Sequence, residues 1–250
     1  MNNEDDFYVG YGSLPKKDRR FLLKAIPAGL LGIAGAGAYI GTRAASEGGG
    51  KWETGTPVTL NGRIGFHPYP VLWVNGVGHV IAGVGKINAD PYIKPFDGQA
   101  VQVRGVKIVR NDCFMLGIAK GDIKVVSETV ADIPPTETLG DISLIGEILD
   151  AQCFMGIMDP GYGRTHRGCA TLCIRGGQPV FFSLSLNSGA TGSGATGCAG
   201  VGHLLANGNG DKINSEILNH IAVPLTLAAR HEMTGNLSRL IYQPGSLKRL

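Results

Sequence analysis

Val71-Leu-Trp-Val74-Asn75-Gly76-Val77-Gly-His79-Val-Ile-Ala-Gly-Val84 is the stretch that decides the fold class. Two short apolar runs, rich in β-branched and aromatic residues, flank an Asn-Gly pair suited to a tight turn. The same pattern recurs on both sides. Val58–Ile64, Ala100–Val109 and Cys113–Ile118 are β-like runs, separated by turn residues such as Asp97-Gly98 and Lys120-Gly121. This set ends near Val126. Ala131–Thr138, with Pro134-Pro135, reads as a connector. A second set follows: Ile142–Leu149, Val180–Leu186, and a hairpin of Leu225–Glu232 and Leu237–Tyr242 around Thr234-Gly-Asn236. Thr165 predicts the cap of a short helix ending at Gly176-Gly177, and Ile213–His220 reads as helical. Each set has the size and strand count of a small barrel such as an OB-fold. The expected fold is mainly β with short helices: an N-terminal transmembrane helix followed by two small OB-like β-barrel modules.

The expected organisation is a cytoplasmic tail over 1–20, an anchor over 21–41, a linker over 42–56, and modules over 57–130 and 139–250. Gly105 and Gly146 each precede a Cys-Phe-Met triplet, which suggests an internal duplication.

Composition narrows the function classes. The chain has 250 residues, 39 of them glycine, and a formal net charge of +3. Much of the positive charge is local, at Lys16, Lys17, Arg19, Arg20 and Lys24. The balanced remainder and the scarcity of aromatics give no footprint for nucleic acid. No paired carboxylates, phosphate loop or complete triad stands in the sequence. A non-catalytic protein is therefore expected. Five cysteines are too few for a disulfide-dense scaffold.

The apolar run Ala25–Gly41 is 17 residues long, and counting from Phe21 makes it 20. That reaches the span of a bilayer, with Lys24 able to snorkel. Basic residues dominate its N-terminal side, which assigns residues 1–20 to the cytoplasm. Gly37-Ala-Tyr-Ile-Gly41 fits the pattern that lets helices approach closely, and equally a weakly hydrophobic signal core. Asp18-Arg-Arg-Phe-Leu-Leu-Lys24 resembles a twin-arginine export signal, departing from it at Asp18, where Ser or Thr is usual. The resemblance implies export in a folded state, often with a cofactor already bound. No small-x-small cleavage site stands out, so the expectation is an uncleaved anchor. The body then lies on the periplasmic side of the inner membrane, on a single-pass helix.

Chemistry concentrates at Cys153, His166, Cys169 and Cys173, spaced C-x12-H-x2-C-x3-C. Three thiols and an imidazole are the ligand inventory of a four-coordinate zinc or iron site. The alternatives are a disulfide from Cys153 to Cys173 or Cys169, and a Cys–His catalytic pair with Asp150 or Asp159 as orienting residue. On a helix, His166, Cys169 and Cys173 share a face, but the first and last are about 10 Å apart along the axis. That separation strains a single tetrahedral site. Cys113 reads as a core residue. Cys198 reads as a free thiol or a partner for a motif cysteine, within a Gly/Ser/Ala/Thr loop over Asn187–Gly202. His67, His79, His203, His220 and His231 read as structural or surface residues. Trp73, after Pro68-Tyr-Pro70, reads as packed at the start of a strand or as part of a partner-binding surface.

The second module resembles a loose group of uncharacterised bacterial exported proteins. The shared pattern is Gly146-Glu-Ile-Leu-Asp150, Cys153-Phe154, His166-x-x-Cys169-Ala-x-x-Cys173 and Gly176-Gly177-x-Pro179. It brings no activity with it. The anchor and the site together resemble the layout of respiratory-chain subunits such as Rieske proteins, without their cluster motif. These resemblances imply an accessory or redox-related subunit of a membrane complex, with protein partners and a zinc or iron centre. The competing expectation is an interaction subunit stapled by a disulfide and holding no metal.

Overall fold

The computed structural model describes residues 15–44, 50–52, 56–158, 160–184, 198, 202–213, 215–243 and 245–250. The chain divides into two compact units, Met1–Glu47 and Gly48–Leu250. In the first, α1 runs over Lys16–Ala44, 29 residues with Pro27 inside. It is long and apolar enough to cross a membrane or to serve as a signal. Phe21, Leu30, Leu31 and Ile33 are all more than half exposed in it.

The second unit is mainly β and holds two closed five-stranded mixed barrels. The first barrel uses β2 (Val58–Phe66), β3 (Pro70–Val74), β4 (Val77–Gly83), β5 (Ala100–Arg110) and β6 (Cys113–Ile118). Antiparallel pairs join β2 to β3 and β3 to β4, and β4 lies parallel to β6. Strand β5 then pairs with both β6 and β2 and closes the ring. Two short strands, β1 (Lys51–Trp52) and β7 (Ile123–Val125), also pair with β5. Helix α2 (Asp90–Ile93) precedes β5.

The second barrel repeats this order. Its strands are β8 (Thr136–Asp150), β9 (Val180–Leu184), β10 (His203–Ala206), β11 (Leu225–Thr234) and β12 (Leu237–Tyr242). Strand β8 pairs with β9 and β9 with β10, β10 lies parallel to β12, and β11 closes on both β12 and β8. A two-residue strand, β13 (Lys248–Arg249), adds to β11. In each barrel the five strands therefore follow the OB order 1-2-3-5-4-1. Helix α3 (Gly163–Arg175) is inserted between the first and second strands of the second barrel.

Alternation along the strands explains how the barrels join. Leu72, Ile81, Leu116 and Ile118 point inward with Ile64, Val101 and Val103, forming the first barrel's own core. Their neighbours Val71, Trp73, Val80, Ala82 and Met115 point the other way. They belong to one cluster with Leu204, Leu205, Leu237 and Leu240 of the second barrel. Strands β3, β4 and β6 are thus buried on both faces, the usual origin of continuous apolar runs such as those within 71–84. Polar contacts fix the register. Asn236, at the tip of the β11–β12 turn, accepts from Gly78 N at 2.6 Å and donates to Gly78 O at 3.3 Å. A Cβ at Gly78 would come within 2.6 Å of Leu237 Cδ1, so the close approach requires glycine. The Tyr69 hydroxyl donates to Leu205 O at 3.1 Å.

Several boundaries differ from the sequence expectations. Strand β1 falls in the expected linker. Strand β8 begins at Thr136, inside the expected connector, because β11 continues through a bulge at His231/Glu232 and pairs Thr234 with Thr136. Helix α3 starts at Gly163 instead of Thr165, since the Glu147 carboxylate accepts from Gly163 N at 2.9 Å and caps the end from outside the helix. Ser215–His220 is a 3-10 turn, and β10 falls where the sequence pattern predicts no strand. The Asn187–Gly202 loop lies outside the described residues apart from Cys198 and Gly202. The suggested duplication does not hold residue by residue. Gly105 lies in the fourth strand of its barrel and Gly146 in the first strand of the other.

Cys113 and Cys198 form a disulfide across the barrel boundary. This corrects both expectations: Cys113 is in the core but bonded, and Cys198 is neither free nor joined to a motif cysteine. The hydrophobic core brings β6 and Cys198 together, and Cys198 N donates to Asn236 O at 2.9 Å. With the two cysteines 85 positions apart, the bond removes much loop freedom from the unfolded chain. Cys113→Ser is expected to lower stability by about 2–5 kcal/mol in urea unfolding, with the metal content of the protein unchanged.

Candidate metal centre

The site is built where β8 ends. Asp150 closes the strand, and its carboxylate accepts from Gln152 N at 3.1 Å and Cys153 N at 3.3 Å. These bonds turn the chain into a π-type turn over Cys153–Ile157. The first barrel pins that turn: Arg110 donates to Phe154 O at 2.5 Å, and its guanidinium lies 4.2 Å over the Phe154 ring. Helix α3 then carries His166, Cys169 and Cys173 past Cys153, and its C-terminal turn is held by Gln178 N donating to Cys173 O at 3.1 Å.

The motif residues do come together. Cys153, His166 and Cys173 are buried and Cys169 is half-buried, with all three thiols free. One set of potential ligands is Cys153, His166 and Cys169, and another is Asp150, Cys153 and Cys173. Within each set the ligand atoms lie within 4.8 Å of one another. No set contains all four expected ligands. Helical rise spreads His166 from Cys173, and Cys153 is the member common to both sets.

Three observations test the fit of a metal. The sulfurs of Cys153 and Cys169 are 3.9 Å apart. Two thiolates at ~2.3 Å from a tetrahedral zinc would be about 3.8 Å apart. Among the described residues, neither buried ring nitrogen of His166 has a hydrogen-bond partner, so an electron pair is available for a cation. Finally, Asp150 Oδ2 is 3.9 Å from His166 Nε2, close enough for small adjustments to orient the ring. The donor set therefore fits a thiophilic cation such as zinc or iron.

Electrostatics couple the thiols. A hydrogen bond with Cys173, burial and the nearby Asp150 carboxylate push the Cys153 thiol up. The same bond holds Cys173 below the usual thiol range. Sequence reasoning missed Lys86, whose ammonium donates to Cys169 Sγ at 2.8 Å. Burial pulls the Lys86 ammonium down, but its bonds to Cys169 and Cys153 outweigh that and hold it above its usual value. Nothing in the sequence around Lys86 marks it; only the packing of the two barrels brings it over the motif.

The remaining histidines divide by burial. His67, His79 and His203 are buried, while His220 and His231 are partly exposed. His67 Nε2 meets Thr234 Oγ1 at 3.1 Å, and His203 Nδ1 meets Ser238 Oγ at 2.6 Å. No protein family, curated protein or solved structure matches this chain.

Burial, helped by Arg239, lowers His67 from 6.5 to about 4. Burial, then His231, lowers His203 from 6.5 to about 4. Acid therefore protonates these rings in the unfolded chain first. The stability they contribute is whole above pH 6.5 and is lost as the pH falls toward 4. Urea midpoints should drop across that window, and His203→Gln should flatten the slope by up to about 1.4 kcal/mol per pH unit.

Proposed function

We propose that this protein is a membrane-anchored, extracytoplasmic accessory subunit of a respiratory-type membrane complex, carrying a structural metal at Cys153, His166, Cys169 and Cys173. The observation that carries the reading is the 3.9 Å approach of the Cys153 and Cys169 sulfurs beside an imidazole that no described residue hydrogen-bonds. Zinc is the default ion, because a closed, mostly buried set of sulfur and nitrogen ligands is the pattern of structural zinc sites. The ion would be held by the side chains of the π-type turn and α3, and would tie that insertion to the end of β8.

The surroundings support the rest of the reading. The exposed apolar helix with its basic flank supports an uncleaved, single-pass anchor in the inner membrane, oriented with the body outside. The Cys113–Cys198 disulfide fits an oxidising compartment on the body's side of that membrane. Twin-arginine-type export, in which the protein folds first, would let thiolates meet their metal in a reducing cytoplasm. The outer face of β3, β4 and β6, where an OB barrel commonly receives ligands, is covered by the second barrel. That supports a scaffold with protein partners over an enzyme or a nucleic-acid binder.

The oxidised alternative, a Cys153–Cys169 disulfide and no metal, rests on the same 3.9 Å approach. One experiment separates the two. The full chain, purified from its native host in mild detergent, should retain about one zinc per molecule without visible absorption, and Cys153→Ser should abolish it. Visible bands with stoichiometric iron would keep the metal and change its identity. Absence of metal together with blocked thiols overturns the metal reading. Release of the protein from membranes by alkaline carbonate overturns the anchor.

A further inference from the structure

We infer that Lys86, a residue of the first barrel, is a positioning residue of the metal site, supplying the positive charge that lets the thiolates be buried around a divalent ion. The inference rests on the metal reading above. Three thiolates and a neutral imidazole around a divalent ion leave one net negative charge, in a site where Cys153, His166 and Cys173 are buried. An uncompensated buried charge is costly, so a paired cation is needed. Lys86 is in contact with Cys169, the most exposed of the ligands, at 2.8 Å. The Asp150 carboxylate, which also lies at the site, is met by two backbone N–H groups.

The backbone around Lys86 is built to hold it there. Lys86 has φ 64° and follows Gly85 at φ 74°, so a long side chain occupies the left-handed region that glycine and asparagine prefer. The loop is fastened on both sides of the strained residue. Gly83 O accepts from Gln152 Nε2 at 3.2 Å, and Ile87 O accepts from Gln178 Nε2 at 2.8 Å. Gln152 adjoins Cys153, and Gln178 holds the Cys173 carbonyl. Asn88 packs on Gly177, where a Cβ would come within 2.6 Å of Asn88 Nδ2. The first barrel is therefore bonded to the chain beside two of the ligands and in contact with a third. The metal site is complete only when the barrels are joined.

The test uses the full chain in detergent, with Co2+ as a spectroscopic probe and Zn2+ measured by competition with a chromophoric chelator. Lys86→Asn suits the left-handed backbone and removes the charge; Lys86→Arg keeps the charge. Lys86→Asn is expected to keep the thiolate-to-cobalt absorption bands but to hold zinc about 10–100-fold more weakly. Lys86→Arg should stay within a few-fold of the parent. The metal-free forms of all three should melt together. Equal zinc affinity in Lys86→Asn and the parent overturns the inference. So does a fall in affinity matched by an equally lowered melting point of the metal-free variant, because Lys86 would then serve only the fold. A parent chain that takes up neither Co2+ nor Zn2+ instead overturns the metal reading itself.

Discussion

The rest of the body depends on the burial of one sheet face. Val71, Trp73, Val80, Ala82 and Met115 leave the first barrel's outer surface and enter the core of the second. Covering a face this apolar, with Trp73 1% exposed, is the dominant favourable term available to join the barrels. Directional contacts then select one docking. The Asn236 side chain meets both backbone groups of Gly78, in the manner of a strand partner. The disulfide and the partly buried Lys212–Asp90 ion pair lie along the same boundary.

The site inherits this constraint. Its ligands come from one stretch of chain, yet their surroundings come from both barrels. Arg110 of β5 holds the π-type turn, and the loop after β4 brings Lys86 to Cys169. A zinc finger in a reducing compartment encloses its ion with a short local segment. Here the local segment offers sulfur and nitrogen, and the neighbouring barrel offers charge and exclusion of water. The motif histidine is the clearest sign that something beyond the protein's own hydrogen bonding belongs there. A buried imidazole that no described residue hydrogen-bonds is costly to leave so, whereas His67 and His203 each have a hydroxyl partner.

The two overlapping ligand sets refine the spacing argument. A helix separates residues seven apart by about 10 Å, so His166 and Cys173 approach Cys153 from different sides. Asp150 was legible only as a possible orienting residue for a catalytic pair. In the fold it shapes the π-type turn through two backbone bonds and lies beside both Cys173 and His166. Its place could have been anticipated from the Asp150-Ala-Gln-Cys153 spacing, since an aspartate readily binds backbone N–H groups two and three residues on.

Features that depend on short separations along the chain are legible in the sequence. Apolar runs and turn residues such as Asn75-Gly76 define β2 to β6, Thr234-Gly-Asn236 defines the β11–β12 hairpin, and the His-x-x-Cys-x-x-x-Cys spacing lines one face of α3. The basic cluster and apolar run before Gly41 define a long exposed helix. Features that depend on distant partners emerge only when the chain folds. Strand β10 is only four residues long and gains its identity from β9 and β12. The Cys113–Cys198 pairing spans 85 residues and could not be chosen from spacing. Lys86 meets Cys169 across 83 residues, because burying an apolar sheet face carries its loop to the thiols.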